Sequence, residues 1–124
     1  MPRLSGKQVQ RRFRLSSSND YKRVRRLGRS FAHPLVVLVA LPSEQNESRF
    51  AVSAGRSVGK AVQRNRAKRL LREAIRPLIP NITRGWDVLL IARHPLAGAS
   101  CQEAQAALVT MLKRSHLLEE SYDA

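Results

Sequence analysis

Between Pro34 and Pro42 the chain reads LVVLVAL, Leu35 to Leu41, without one polar side chain, and this run constrains the fold more than any other feature. Its β-branched residues favour a strand. Strand side chains alternate between two faces, so a strand apolar at both parities asks for cover on both. One face can bury against helices, but a chain with few helices leaves the cover of the other face open. Pro34 separates this strand from a shorter one around Phe31. After the loop "PSEQNES" comes a third strand in "RFAVSAG", and "WDVLLIAR" supplies a fourth, nearly continuous in apolar residues.

Helical patterns flank these strands. Ser17 and Asp20 resemble a capping box, Tyr21, Val24 and Leu27 recur at helical spacing, and Gly28 is a natural end. A last helix is expected over Cys101 to Leu118, with Ser100 as N-cap and Glu103 completing a capping box. Phe13, Phe31, Phe50 and Trp86 are assigned to packing. No repeat and no second linker-bounded domain is visible. The expected division is a basic, flexible arm over 1–12, one domain over 13–118 and a tail over 119–124. At 124 residues, one domain can bury roughly two thirds of the surface its unfolded chain exposes.

Charge narrows the partner. The 23 Lys and Arg outweigh 9 Asp and Glu, for a formal charge of +14, and such a chain repels itself unless an anion relieves it. Nucleic acid is the expected polyanion. A membrane is not, because no apolar run approaches the roughly 18 residues of a span. The N-terminus is basic without the apolar core of a secretory signal, so the expected compartment is the cytoplasm. The single Cys101 cannot form an intramolecular disulfide.

Much of the charge lies in "GKAVQRNRAKRLLREAI", Gly59 to Ile75, where Arg64, Arg66, Lys68, Arg69 and Arg72 precede one acid, Glu73. At about 100° per residue, Ala67, Leu70, Leu71, Ala74 and Ile75 share one arc of a helix, and Asn65, Arg69, Arg72 and Arg76 lie opposite. Arg64 and Lys60 fall toward the apolar arc. The first turn is therefore expected to project beyond the sheet, freeing both side chains for a ligand. Pro77 should end the helix near Arg76. A merely solvated face would alternate in sign, whereas stacked cations cost a few tenths of a kcal/mol per pair. Arginine's planar fork suits phosphate.

Catalytic groups are scarce. The acids cluster only as Glu44 with Glu47 in a loop and as Glu119, Glu120 and Asp123 in the tail, neither place a rigid two-metal carboxylate site. His33, His94 and His116 are far apart and lack zinc-ligand spacing with Cys101. "SAGRSVGK" lacks the spacing of a P-loop. An autonomous nuclease is disfavoured.

The stretch "RFAVSAGRSVGKAVQRNRAKRLLREAIR" resembles the signature of the bacterial ribonuclease P protein subunit. Its Arg64-Asn65-Arg66 core is followed by Lys68-Arg69 and Arg72-Glu73, and the order of elements matches over roughly residues 13 to 118. The resemblance implies an α+β domain of order αβββαβα, with a mixed four-stranded sheet and a left-handed crossover through the basic helix, against the right-handed rule obeyed in about 98% of cases. It implies removal of the 5′ leader from precursor tRNA to give the mature tRNA 5′ end. Chemistry and most Mg2+ ions are then expected in the RNA subunit, with this chain as accessory protein, without catalytic residues and without an obligatory protein partner. Arg56, Lys60, Arg64, Asn65, Arg66, Lys68, Arg69 and Arg72 are expected on the RNA subunit. Tyr21, Arg25, Val37 and Val39 are expected in a cleft for the single-stranded leader, between the first helix and the central strands. The chain departs from the family pattern in three places. Arg25 and Val39 stand where aromatics are frequent, and Arg56-Ser57 where paired lysines are. The rival from another class is a structural RNA-binding protein, ribosomal or assembly-related, with the charge and arm but no leader cleft.

Overall fold

The computed structural model describes residue 15 and residues 18–118. The expected arm over 1–12, the packing of Phe13, the Ser17 cap and the tail over 119–124 lie outside them. The elements are α1 (Ser18–Leu27), β1 (Arg29–Ala32), β2 (Val36–Pro42), β3 (Arg49–Ala54), α2 (Ala61–Ile75), β4 (Trp86–Ala92) and α3 (Cys101–Arg114). The order αβββαβα is the expected one. The strands form one mixed sheet in the order β1-β2-β4-β3. β1 with β2 and β2 with β4 run antiparallel. β3 with β4 runs parallel, joined through α2.

The two central strands carry the apolar runs, as burial on both faces demands. On one face Val36, Leu38, Ala40, Val88, Leu90 and Ala92 join Phe50, the inner sides of α2 and α3, and the loop residues Leu78 and Leu96 in the main core. α2 contributes Ala67, Leu71, Ala74 and Ile75, four of the five residues on its expected apolar arc, while Leu70 is only half-buried. On the other face a small second cluster holds Val39 and Leu89 under Val24 of α1 and Leu15. Phe31 and Trp86 pack at the margin of the main core.

Glycine matters in two places. A Cβ on Gly28 would lie 2.7 Å from the Val39 side chain and 2.7 Å from the Val24 carbonyl oxygen, so its absence lets the chain pass directly from α1 over β2. Gly59, at φ 142°, turns the chain into α2 in a conformation that L side chains rarely adopt. The Gln63 side chain then accepts from the Lys60 N–H at 2.6 Å. At the other end α2 gives way after Ile75 to a 3-10 segment, Arg76–Asn81, as Pro77 requires.

Two helix ends differ from a simple reading of the pattern. Leu27 shares the helical spacing of Tyr21 and Val24 yet is 58% exposed, because only the middle of this short helix rests on the sheet. α3 ends at Arg114 rather than Leu118. Its end is a Schellman turn: Leu117 N–H donates to Leu112 O at 2.9 Å and His116 N–H to Lys113 O at 3.1 Å. His116 takes the left-handed position, φ 61°, usually given to glycine. The turn tucks Leu117 into the core and leaves Leu118 bridged to Ile82. The start of α3 is as expected, with Glu103 N–H donating to Ser100 Oγ at 3.0 Å and Ser100 N–H to Glu103 Oε1 at 2.9 Å.

Candidate nucleic-acid interface

The outward side of α2 is a basic surface because its inward side is fully used by the core. Asn65 and Arg69 are exposed on the helix, and Arg56 and Lys60 are exposed just before it. Arg66 is exposed too, with its Nε donating to Ala97 O at 2.8 Å, which steadies the guanidinium against the loop after β4. Lys68 and Arg72 are half-buried. Arg64 departs from the expected free reach: it is half-buried, and its Nε is enclosed without a hydrogen-bond partner. Its inner phase puts the stem of the side chain against the body, so only the tip can reach outward. α2 has no acid in its first turn, so its amide dipoles add to the positive field.

The second sheet face makes a partly open cleft. Val37, Ala51, Ser53 and Ile91 are half-exposed there, and α1 covers the rest. Tyr21 packs along this cluster while remaining half-exposed, and Arg25 is exposed on the same helix. Three of the four expected cleft residues thus reach the surface. The correction is Val39: it is 2% exposed, sealed under Val24 and Leu15, and forms the floor beneath α1 rather than a contact.

Two constellations escaped the sequence reading. At the far end of the open face lies a groove of about 670 Å3 lined by residues that include His33, Ser57, Ile91, Arg93 and His94. His94 Nδ1 sits 3.2 Å from the carbonyl oxygens of both Ser57 and Val58, which only an N–H can satisfy, so Nδ1 carries the proton. His33 Nδ1 instead accepts from Leu35 N–H at 3.1 Å. His33 is half-buried and His94 exposed, and the hairpin loop brings the two to one groove although they are far apart in sequence. The groove shares Ile91 with the open sheet face and Ser57 with the turn that leads into α2, so the cleft and the basic surface are continuous.

The second is a charge cluster at the opposite end of the cleft. Asp87 on β4 is completely buried. Arg49, its register partner on β3, grips it with a two-pronged contact, Nε to Oδ1 and Nη2 to Oδ2, both at 3.0 Å. Arg23 of α1 donates Nη2 to Asp87 Oδ2 at 2.7 Å and to Asp20 Oδ1 at 3.2 Å. Arg49 Nη1 reaches Asp20 Oδ2 at 3.4 Å. Hydrogen bonds to Asp87, then to Asp20, push the Arg23 guanidinium above its ordinary range, and the bond to Asp87 does the same for Arg49. The signal in the sequence was the acid inside "WDVLL", since a charge at an inward strand position needs a cation.

Among the described residues no group of three or more His, Cys, Asp or Glu converges as a metal cage would. Asp20 and Asp87 both face arginines. The arrangement suits binding of a polyanion along a continuous path.

A model of the family Ribonuclease P matches residues 9–116. The chain is 40% identical over 109 residues to a protein of Herpetosiphon aurantiacus named ribonuclease P protein component, covering 88% of this chain and 89% of that one. A protein of the same name from Roseiflexus sp. is 39% identical over 114 residues, 91% of this chain and 93% of the other. Among solved structures, the Staphylococcus aureus RNase P protein aligns with a TM-score of 0.77 at 27% identity, over 86% of this chain and 98% of that one. The Thermotoga maritima RNase P protein aligns with a TM-score of 0.73 at 28% identity, over 82% and 96%.

Proposed function

This chain belongs to the ribonuclease P protein family, and so to a ribonucleoprotein endoribonuclease that processes tRNA; from that premise we propose that it docks on the catalytic RNA subunit through α2 and holds the 5′ leader of precursor tRNA in the cleft. The observation that carries the reading is the continuity of two surfaces. Arg56, Lys60, Asn65, Arg66 and Arg69 are exposed on one. Tyr21, Arg25, Val37 and Ile91 line the other, and the histidine groove joins them.

The division of labour follows from the side chains. Arginines neutralise crowded phosphates, and Asn65 both donates and accepts. The leader is single-stranded, so its bases are free to stack, and Tyr21 offers the one aromatic surface on α1. With Arg25 in place of a second aromatic, charge contributes more to leader affinity and stacking less. The residues that touch RNA bind and orient it. Phosphodiester hydrolysis, and the Mg2+ it needs, belong to the RNA subunit. The reading places the chain in the cytoplasm, where tRNA precursors are processed; no described helix is long and apolar enough to cross a membrane.

The test is cleavage of precursor tRNA at low Mg2+ by a bacterial ribonuclease P RNA with and without this protein, beside the protein alone. Cleavage at the mature 5′ end only with both components supports the reading. No gain from the protein favours a ribosomal or assembly role, and cutting by the protein alone overturns the assignment of chemistry to RNA. Within that assay, Tyr21→Ala should weaken binding of leader-bearing substrate and leave mature tRNA nearly unchanged.

A further inference from the structure

We infer that Asp20, Arg23, Arg49 and Asp87 form a clamp that fixes α1 against the sheet and so sets the width of the leader cleft, a role that rests on the cleft reading above. α1 spans 10 residues, shorter than the roughly 12–15 at which an isolated helix is even marginal in water. Its apolar hold is slight: Val24 is fully buried, Tyr21 is half-exposed and Leu27 faces solvent. The charge cluster supplies what apolar contact does not. Arg49 and Asp87 lie on the same sheet face as Ala51, Ser53, Leu89 and Ile91, the floor of the cleft, and Arg23 reaches them from the wall. Asp87, wholly removed from water, must keep its cations. Undocking α1 would take away the shorter of its contacts.

The clamp is internally neutral, two carboxylates against two guanidiniums. Arg23 and Arg49 are thus spoken for and do not serve as phosphate ligands, although they stand at the mouth of an RNA cleft. The geometry also makes the two arginines unequal. Arg23 reaches Asp87 and Asp20 through one nitrogen, Nη2, a task an ammonium can perform. Arg49 uses three nitrogens in a planar fork, which lysine cannot reproduce.

The experiment uses the holoenzyme reconstituted with a bacterial ribonuclease P RNA, at fixed salt, and compares Arg23→Gln, Arg23→Lys and Arg49→Lys with the unaltered chain. Affinities are measured for precursor tRNA, for mature tRNA and for the RNA subunit, and amide hydrogen exchange of α1 is followed in the free protein. Arg23→Gln should lower leader-dependent affinity about fivefold, speed exchange in α1 and leave RNA-subunit affinity within about twofold. Arg23→Lys should restore most of both properties and Arg49→Lys should not. Because Arg23 is 37% exposed at its side chain, its variants keep the test alive if Arg49→Lys fails to fold. Unchanged α1 exchange in Arg23→Gln overturns the clamp whatever the RNA assays show. Faster exchange with intact leader preference overturns its role in the cleft, and equal losses for precursor and mature tRNA mean that Arg23 touches phosphate. If the unaltered holoenzyme shows no leader preference, the cleft reading itself fails, while the exchange data still judge the clamp.

Discussion

α2 and α1 lie on opposite faces of one sheet and are held there by different physics. α2 buries Ala67, Leu71, Ala74 and Ile75 in a core shared with α3, and its outer face is left free to carry arginine. Among the described residues of α1 only Val24 is fully buried, and the helix depends on ion pairs at its inner edge. A helix with a self-sufficient apolar face can devote its charges to a partner. A helix without one needs its charges for itself. The same residue type is therefore exposed and available to a partner at Arg69 but tied into the fold at Arg23.

Substitutions can break this contrast, beginning with the largest effect. Leu71→Ala should cost about 3 to 4 kcal/mol in urea unfolding, the range for a leucine removed from a tight core; a loss near 1 kcal/mol would mean that α2 is not held by packing. Asp87→Ala should cost about 3 kcal/mol, since two arginines lose their buried counter-charge. If Asp87→Ala is neutral, the α1 side is apolar in its energetics after all.

Smaller effects sharpen the picture. Ser100→Ala should cost roughly 1 kcal/mol at neutral pH by uncapping α3. The bonds from the Ser100 backbone N–H, then from its side chain, hold the Glu103 carboxyl below its ordinary range. With the folded value depressed, this contribution is present above the ordinary carboxylate pKa and is lost as pH falls through the folded value. The variant keeps the backbone N–H and loses only the side-chain bond, so its loss of stability on acidification should be only slightly shallower than that of the unaltered chain. Arg69→Ala should change stability by less than about 0.5 kcal/mol and yet lower the salt slope of RNA-subunit binding by about one. A stability loss without a change in slope would move Arg69 from the partner surface to the fold.

The sequence showed the four strands, their apolar parities and the phase of α2, because hydrophobic period is read directly from residue types. It showed most of the basic surface for the same reason. What it hid depends on the third dimension. Leu117 and Leu118 continue the spacing of α3, and only the left-handed turn at His116, unmarked by glycine, ends the helix sooner. Val39 is as apolar as Val37, and only the placement of α1 decides that one is floor and the other surface. Asp87 needed a partner that arrives across the sheet from β3 and from α1. His33 and His94 share a groove because a hairpin turn happens to face the end of β4.

The strand order carries a consequence for how the chain comes together. β2 and β3 share no ladder; both pair with β4, which is made last of the strands and lies between them. A nascent chain ending before Trp86 has a hairpin on one side and an unpaired strand on the other, with the sheet missing its middle rather than an edge. Sheet completion must wait for residues far along the chain, the kind of long-range closure that slows folding. The strand that closes the gap also brings Asp87, so the step that joins the two halves of the sheet delivers the anion around which Arg23 and Arg49 gather. Assembly of the hydrogen-bond ladder and neutralisation of these two cations become a single event.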